Sequence, residues 1–429
     1  MKHRCTRHAI AVCVCAWACA AALAPAVARA QPAIQPDIQP PLTLAAAIEL
    51  ALRANPALRA AGSELAAQEG TLTQAGVLPN PEIELLREGA GGENRSTTVQ
   101  LNIPIELGGK RAARVDAARQ ERSLAALALD AQRDRVQADT AAAFHELAAA
   151  GERERMAQEL AALAGRALDV AARRVAAGRL SPVDETRARV AQGSARIEAL
   201  QAARERDAAR IRLAALWNGD GRGLRIVLPE AGAPPPAPPP APPLAQLMAR
   251  LDAAPAMRQA RTAVTHREAL ARLEKARRVP DVNVVVGTQR EGPDPHNRAV
   301  LGLSVPLPLF NRNDGAMRDA LRRVDKARDL EQAEGARLRA ELAQAHARLV
   351  AARAEIALIA GDILPGAEDA YRSAMRGFEV GKFGLTDVLD AQRALSQSKN
   401  QYATAMLDAQ RAAAEIARLL GSAAGQENP

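Results

Sequence analysis

The stretch Val99-Gln-Leu-Asn-Ile-Pro-Ile-Glu-Leu-Gly-Gly-Lys-Arg111 alternates over its first nine residues. Val99, Leu101, Ile103, Ile105 and Leu107 fall on one face, with Gln100, Asn102 and Glu106 on the other. A period of two marks a strand with one apolar side. What that side meets decides the fold, because alanine and charged residues dominate the remaining chain and leave little for a large sheet core.

The stretch has a copy. Ala299, Leu301, Leu303, Val305, Leu307 and Leu309 repeat the apolar face, with Gly302 and Ser304 opposite. Asn55-Pro56 is echoed by Ala254-Pro255, Leu78-Pro79 by Val279-Pro280, Gly178 by Gly381 and Asp184 by Asp387. The offset stays near ~200 residues, so the chain is two similar halves. They are residues 42–218 and 244–421, joined by a Pro-rich linker over 219–243 whose Pro234–Pro243 run reads as extended polyproline. An N-terminal extension (31–41) and a C-terminal tail (422–429) flank them.

Each half has the same internal order. A helix (Leu42–Gly76; Leu244–Arg278) ends at a proline turn, and two strands follow: Glu82–Glu88 with Val99–Leu107, then Val282–Thr288 with Ala299–Leu309. A very long helix comes next (Arg111–Ala177; Gly315–Val380), then a glycine break and a final helix (Pro182–Trp217; Leu385–Leu420). The long helices span ~100 Å at 1.5 Å per residue, the length of two shorter helices laid end to end. Leu124, Leu127, Phe144, Leu147, Leu160, Leu163 and Leu168 recur at the spacing of coiled-coil-like seams. Pro365 should bend the second long helix. The fold class is mainly α with a small β part.

Four short strands cannot build a self-sufficient core, and a lone hairpin is marginal in water. Tilted strands of this length match a membrane β-barrel, apolar side to lipid and polar side to a wet lumen. Val99, Leu101, Ile103, Ile105, Leu301, Leu303 and Val305 are then lipid-facing. Four strands do not close a barrel, but three copies give twelve, so a homotrimer is expected. The competing reading is two surface hairpins on a soluble coiled-coil protein. Scarce aromatics, with Trp217, Tyr371, Tyr402 and four Phe after the leader, argue against a full aromatic girdle.

Residues 1–30 form a signal peptide: basic at Lys2, Arg4 and Arg7, apolar from Ala9 to Leu23, and small at Ala28-Arg29-Ala30. All four cysteines (Cys5, Cys13, Cys15, Cys19) lie within it, so the cleaved chain has no disulfide. A rival reading makes Cys19 a lipidated N-terminus. The leader holds Lys2, Arg4, Arg7 and Arg29, so the formal charge of +8 falls by four to +4. That mild excess, without a basic block interleaved with aromatics, gives no support to nucleic-acid binding.

The chain resembles the outer-membrane efflux duct family typified by TolC, and within it the cobalt-zinc-cadmium type. The residues carrying the resemblance are Leu42–Pro56, Leu78-Pro-Asn-Pro-Glu82, Ile103–Arg111 and Gly381-Lys-Phe-Gly-Leu-Thr-Asp-Val-Leu-Asp-Ala-Gln392. The resemblance implies a homotrimer in the outer membrane, a twelve-strand barrel and an α-helical tube through the periplasm. It also implies docking to a periplasmic adaptor (membrane fusion protein) and an inner-membrane proton-driven pump of the RND type. It places Asp387 and Asp390 where such ducts narrow, an acidic ring from three chains, with Asp184 and Arg187 at the equivalent places of the first half. Like charges near one axis repel, favour cations and need counter-charges to stay shut. Arg187, Arg376 or Arg393 could supply them, and an ordinary solvated helix face is the alternative reading.

The glycine breaks have a docking reading as well. Gly178, Arg179, Leu180 and Ser181, and Gly381, Lys382, Phe383 and Gly384, end helix hairpins with one exposed apolar residue each, suited to an adaptor's hairpin. A plain helix C-cap explains both glycines equally well.

Catalytic chemistry is missing. Gly108-Gly-Lys-Arg111 lacks the first glycine and the Ser/Thr of a phosphate loop, and His145-Glu146 lacks a second histidine at position 149. His145, His266, His296 and His346 are dispersed, so no metal site and no cofactor is expected. The reading is a passive, gated exit duct for divalent heavy-metal cations, not an enzyme. A duct for organic drugs and a periplasmic adaptor are the alternatives.

Overall fold

The computed structural model describes residues 42–89, 95–226, 240–292 and 296–421. The signal peptide, Cys19 and Pro234–Pro239 of the linker lie outside the described residues.

Helix α1 (Leu44–Ala54) starts at Thr43, whose hydroxyl accepts from the Ala46 N–H. It stops at Asn55, which takes an extended backbone (φ −66°, ψ 123°) because Pro56 follows. Asn55 then caps α2 (Pro56–Ala75) by accepting from the Leu58 N–H, while its amide donates to the Leu216 carbonyl at 2.8 Å. The single helix expected over Leu42–Gly76 is therefore two. Its counterpart breaks at the same motif, into α5 (Leu244–Arg250), a short 3-10 turn and α6 (Pro255–Ala276). Proline restricts its predecessor in both halves, which the periodicity alone did not register.

Four strands form one antiparallel sheet in chain order: β1 (Glu82–Glu88), β2 (Ser96–Ile105), β3 (Val282–Glu291) and β4 (Asn297–Ser304). The hairpins of the two halves thus join through β2 and β3. Register aligns Ile83, Leu101, Val286 and Leu301 in one cross-sheet row, and Ile103, Val284 and Leu303 in the next. Ile83, Leu301 and Leu303 are 79%, 78% and 71% exposed, so this apolar face is uncovered in the single chain. β4 ends before Val305, because Pro306 and Pro308 cannot supply ladder N–H groups. Val305 and Leu307 are exposed beyond the strand, which is shorter than the alternation suggested.

Helix α3 (Lys110–Ala176) runs unbroken for 67 residues and packs on α2, α4 (Pro182–Ala215), α6 and α9 (Leu385–Leu420). Its buried seam includes Val136, Phe144, Leu147, Leu160, Ala164, Ala167 and Ala171. The facing helix α4 buries Ala188, Ala195, Ala202 and Ala209, a seven-residue repeat that lets the backbones approach. In the second half, α7 (Asp314–Leu358) passes through a π turn (Ile359–Ile363) into α8 (Leu364–Glu379). Pro365 does not stop the helix. The Leu364 N–H reaches back to the Ile359 carbonyl, and this wider turn accommodates the ring that an α-helical ladder would exclude. Leu338, Leu342 and Leu349 of α7 meet Leu247 and Met257 on one side and Met406 and Ile416 of α9 on the other, the main apolar core.

Candidate functional site

Two regions carry the residues singled out above: the joint where strands meet helices, and the helix-hairpin tips at the opposite end.

At the joint, the Glu106–Arg111 segment turns β2 into α3. Gly108 (φ +71°) sits so close to the segment before β3 that a Cβ there would lie 2.6 Å from the Val279 Cβ. Gly109 (φ +73°) is the N-cap of α3, and nothing lies within 4 Å of a Cβ there. Lys110 Nζ bonds Asp281 Oδ1 at 2.8 Å, and the Leu107 N–H donates to the same oxygen. Arg114 donates to both Glu106 carboxylate oxygens (2.7 and 3.2 Å) and to the Ala75 and Val77 carbonyls, and Arg111 donates to the Gly76 carbonyl. The Gly-Gly-Lys-Arg run is thereby accounted for as a joint. The Arg114 guanidinium holds the Glu106 carboxyl below its ordinary range. Burial works against ionised Asp281, but Lys110 and the Leu107 N–H outweigh it and its carboxyl is also lowered.

On the polar side of the sheet, Glu84 accepts from Gln100 Nε2 at 2.6 Å and Asn102 Nδ2 at 3.2 Å. Gly287 lies in the same row, and a Cβ there would be 2.5 Å from the Val99 carbonyl oxygen. Glycine is what allows β2 and β3 to approach here.

Both tips are Schellman turns. The Gly178 N–H donates to the Val175 carbonyl and the Arg179 N–H to that of Arg174; Gly381 and Lys382 repeat the pattern on Phe378 and Gly377. Each glycine is left-handed (φ +69° and +82°), as this cap requires. The exposed apolar residue expected at each tip is present as Phe383 in the second half, whereas Leu180 of the first is half-buried. Leu180 packs on the core formed by Ala171, Ala188, Phe378 and Val388, and Phe383 folds its ring onto Gly377, where a Cβ would meet the ring at 2.1 Å. Phe383 keeps 48% exposure; Arg179, Lys382 and Gly384 are exposed, and Ser181 caps α4 by accepting from the Val183 N–H.

Arg174 ties the tips together. Its Nη1 donates to the Phe378 carbonyl at 3.0 Å, and its guanidinium lies 4.9 Å from the centroid of the fully buried Phe378 ring. The two residues are 204 apart, so no local pattern signals the contact.

The carboxylates are not equivalent. Asp387 Oδ2 accepts from the Gly384 N–H at 2.8 Å, capping α9. Asp390 contacts Arg393 on its own helix at 3.3 Å, and Asp184 contacts Arg187 in the same manner at 3.3 Å. Asp390, Arg393 and Arg187 line a groove of about 1120 Å³ between α4 and α9, whose walls also include Val183, Val190 and Leu389. Arg187 and Asp390 therefore share one surface, while Asp184 and Asp387 are not among its lining residues.

The histidines are separate. His145 stands edge-on to Phe144 and burial pushes its imidazole below the ordinary value; burial does the same to His266, and His346 meets the Pro242 carbonyl. Among the described residues no group of three His, Cys, Asp or Glu is placed to hold a metal ion, and no helix is long and apolar enough to cross a membrane.

The outer membrane efflux protein family model matches residues 47–219 and again 248–422. The cobalt-zinc-cadmium resistance protein CzcC of Cupriavidus metallidurans is 40% identical over 387 residues, 89% of this chain and 90% of that protein. The nickel-cobalt-cadmium resistance protein NccC of Alcaligenes xylosoxydans xylosoxydans is 28% identical over 63% of this chain and 60% of that protein. Among solved structures, the outer membrane protein VceC of Vibrio cholerae superposes with TM-score 0.75 at 21% identity, over 88% of this chain and 96% of VceC. CusC does so with TM-score 0.74 at 16% identity, over 88% of this chain and 92% of CusC. The chain belongs to the outer membrane efflux protein family.

Proposed function

We propose that this chain is the outer-membrane exit duct for divalent heavy-metal cations, working with a periplasmic adaptor and an inner-membrane RND-type pump that supplies the energy. Three copies close a twelve-strand barrel, with Val99, Leu101, Ile103, Ile105, Leu301 and Leu303 toward lipid. The observation carrying the metal assignment is 40% identity to a cobalt-zinc-cadmium resistance protein over nearly the whole of both chains. The uncovered apolar rows across all four strands support the membrane placement.

At the tips, Asp390 is the stronger gate residue. Its carboxylate lines the α4–α9 groove with Arg187, whereas Asp387 is engaged in capping. The tip segments, residues 178–181 and 381–384, are the surface offered to the adaptor. Deleting the gene and restoring it tests the cargo: growth is measured against zinc, cadmium, cobalt, nickel and copper beside hydrophobic antibiotics. Sensitivity selective for divalent metals is the expected outcome. Sensitivity to the antibiotics alone would transfer the duct to organic molecules.

A further inference from the structure

The register of the sheet sorts its charged side chains by face. Glu84 shares a face with Gln100 and Asn102, Glu88 with Ser96, and Glu291 with Arg298, which it meets at 2.7 Å. That is the polar side of the strands. Arg87 and Arg290 have the opposite parity and lie on the apolar side, in the cross-sheet row Arg87, Thr97, Arg290 and Asn297. Every member of this row carries an N–H or O–H donor, and no carboxylate shares it. Both arginines are exposed, and neither is paired with a carboxylate among the described residues. Their chain neighbours Glu88 and Glu291 are the nearest acids in sequence, but the pleat sends them to the other face.

Position along the strand matters as much as the face. Counting outward from the helices, the apolar side runs from Ile105 and Val282 to Leu85 and Val99, and the arginine row comes next. Val282 and Arg290 are eight residues apart. That is ~27 Å along a strand and ~20 Å of height at a tilt of ~40°. The apolar band of a membrane barrel is ~25 Å tall, so the row falls where hydrocarbon gives way to headgroups. With the helices on the periplasmic side, this margin belongs to the outer leaflet. None of the four strands contains Phe, Trp or Tyr, so the row stands where an aromatic girdle would otherwise anchor the barrel.

We propose that Arg87 and Arg290 bind the phosphate of an anionic outer-leaflet lipid whose acyl chains lie along the apolar rows beneath. Guanidinium forks take phosphate oxygens in pairs, and arginine stems reach from apolar surface to a headgroup. Thr97 and Asn297 add donors in the same row. The arginines flank β2, ~10 Å apart at the backbone, close enough for both to reach one headgroup. The proposal rests on the lipid-facing assignment of these strands and adds the ligand at their outer margin.

Binding is measured by native mass spectrometry on the protein purified from outer membranes in detergent. The probes are lipid A carrying two phosphates and lipid A with both removed. An arginine near an anionic lipid surface is worth roughly fivefold in affinity, so wild type should prefer the phosphorylated form by about 30-fold. Arg87→Gln with Arg290→Gln should reduce the preference to a few-fold at most, and Arg87→Lys with Arg290→Lys should keep part of it. Arg298→Gln removes a charge at nearly the same height on the polar face and should leave the preference unchanged. Millimolar inorganic phosphate should not displace the lipid. Equal binding of both probes to wild type overturns the proposal, as does a preference that survives the glutamine pair, an equal loss in Arg298→Gln, or displacement by free phosphate. The wild-type comparison needs no variant, so it decides even where the glutamine pair fails to assemble. A separate measurement tests the lipid-facing assignment itself. Leu301→Cys is labelled with a polarity-sensitive fluorophore in vesicles, the native cysteines all lying in the first 19 residues. Water-like emission sinks that assignment, whereas lipid-like emission without a phosphate preference overturns the arginine site alone.

Discussion

Arg174 adds a polar tie to the apolar cluster that joins the two halves at the tips, and its removal leaves the Phe378 carbonyl and ring without their cation. A hydrogen bond and a cation–π contact of this kind together stabilise by about 1–2 kcal/mol. Arg174→Ala should therefore raise the population of parted tips roughly 5–30-fold. Trypsin cleavage at the exposed Arg179 and Lys382 should accelerate in proportion, while the melting of the strand end should not move. Glu106 makes a pH prediction. Its carboxyl is lowered in the folded protein through Arg114, so the pair's contribution is present above the unfolded value of about 4.3 and is lost as pH falls through the folded value. Glu106→Gln should melt lower than wild type at pH 7, by about 1–2 kcal/mol, and the gap should close toward pH 3.

At the scale of elements, two adjacent glycines separate backbone conformation from crowding. Both Gly108 and Gly109 are left-handed, but only Gly108 has a neighbour where a Cβ would go. Gly109→Ala should cost about 1–2 kcal/mol, the left-handed penalty alone. Gly108→Ala pays the same and must also move the segment holding Val279, so its melting temperature should fall further. Equal losses in thermal unfolding would mean that the joint is not closely packed. The π turn before Pro365 follows the same logic: a local rule was broken, and the ladder widened by one residue instead of ending.

For the whole molecule, the two tip aspartates should separate by assay. Asp387→Asn weakens a helix cap and should lower stability by about 1 kcal/mol or less, since asparagine retains an acceptor. Asp390→Asn leaves that cap intact but removes a charge from the groove, three times over in a trimer. Planar-bilayer recordings should show reduced cation selectivity for Asp390→Asn and little change for Asp387→Asn. The reverse ranking would overturn the proposal that Asp390 is the stronger gate residue.

The sequence alone carried whatever repeats along the chain. Alternation at Val99–Leu107, the apolar recurrence from Leu124 to Leu168, the doubling of Gly178 in Gly381 and the proline turns are local patterns, and they placed strands, helices and turns along the chain. Helix ends were legible where a cap residue marked them and were missed at Asn55-Pro56, where periodicity ran through a break. The tertiary structure decided which residues meet: β2 against β3 and Arg174 on Phe378 across long separations, and nearer by Arg114 on Glu106 and the Phe383 ring turned back onto Gly377. It also divided two similar aspartates into one cap and one groove residue. Such contacts follow from packing between residues as many as 204 positions apart, and spacing along a chain holds no record of them.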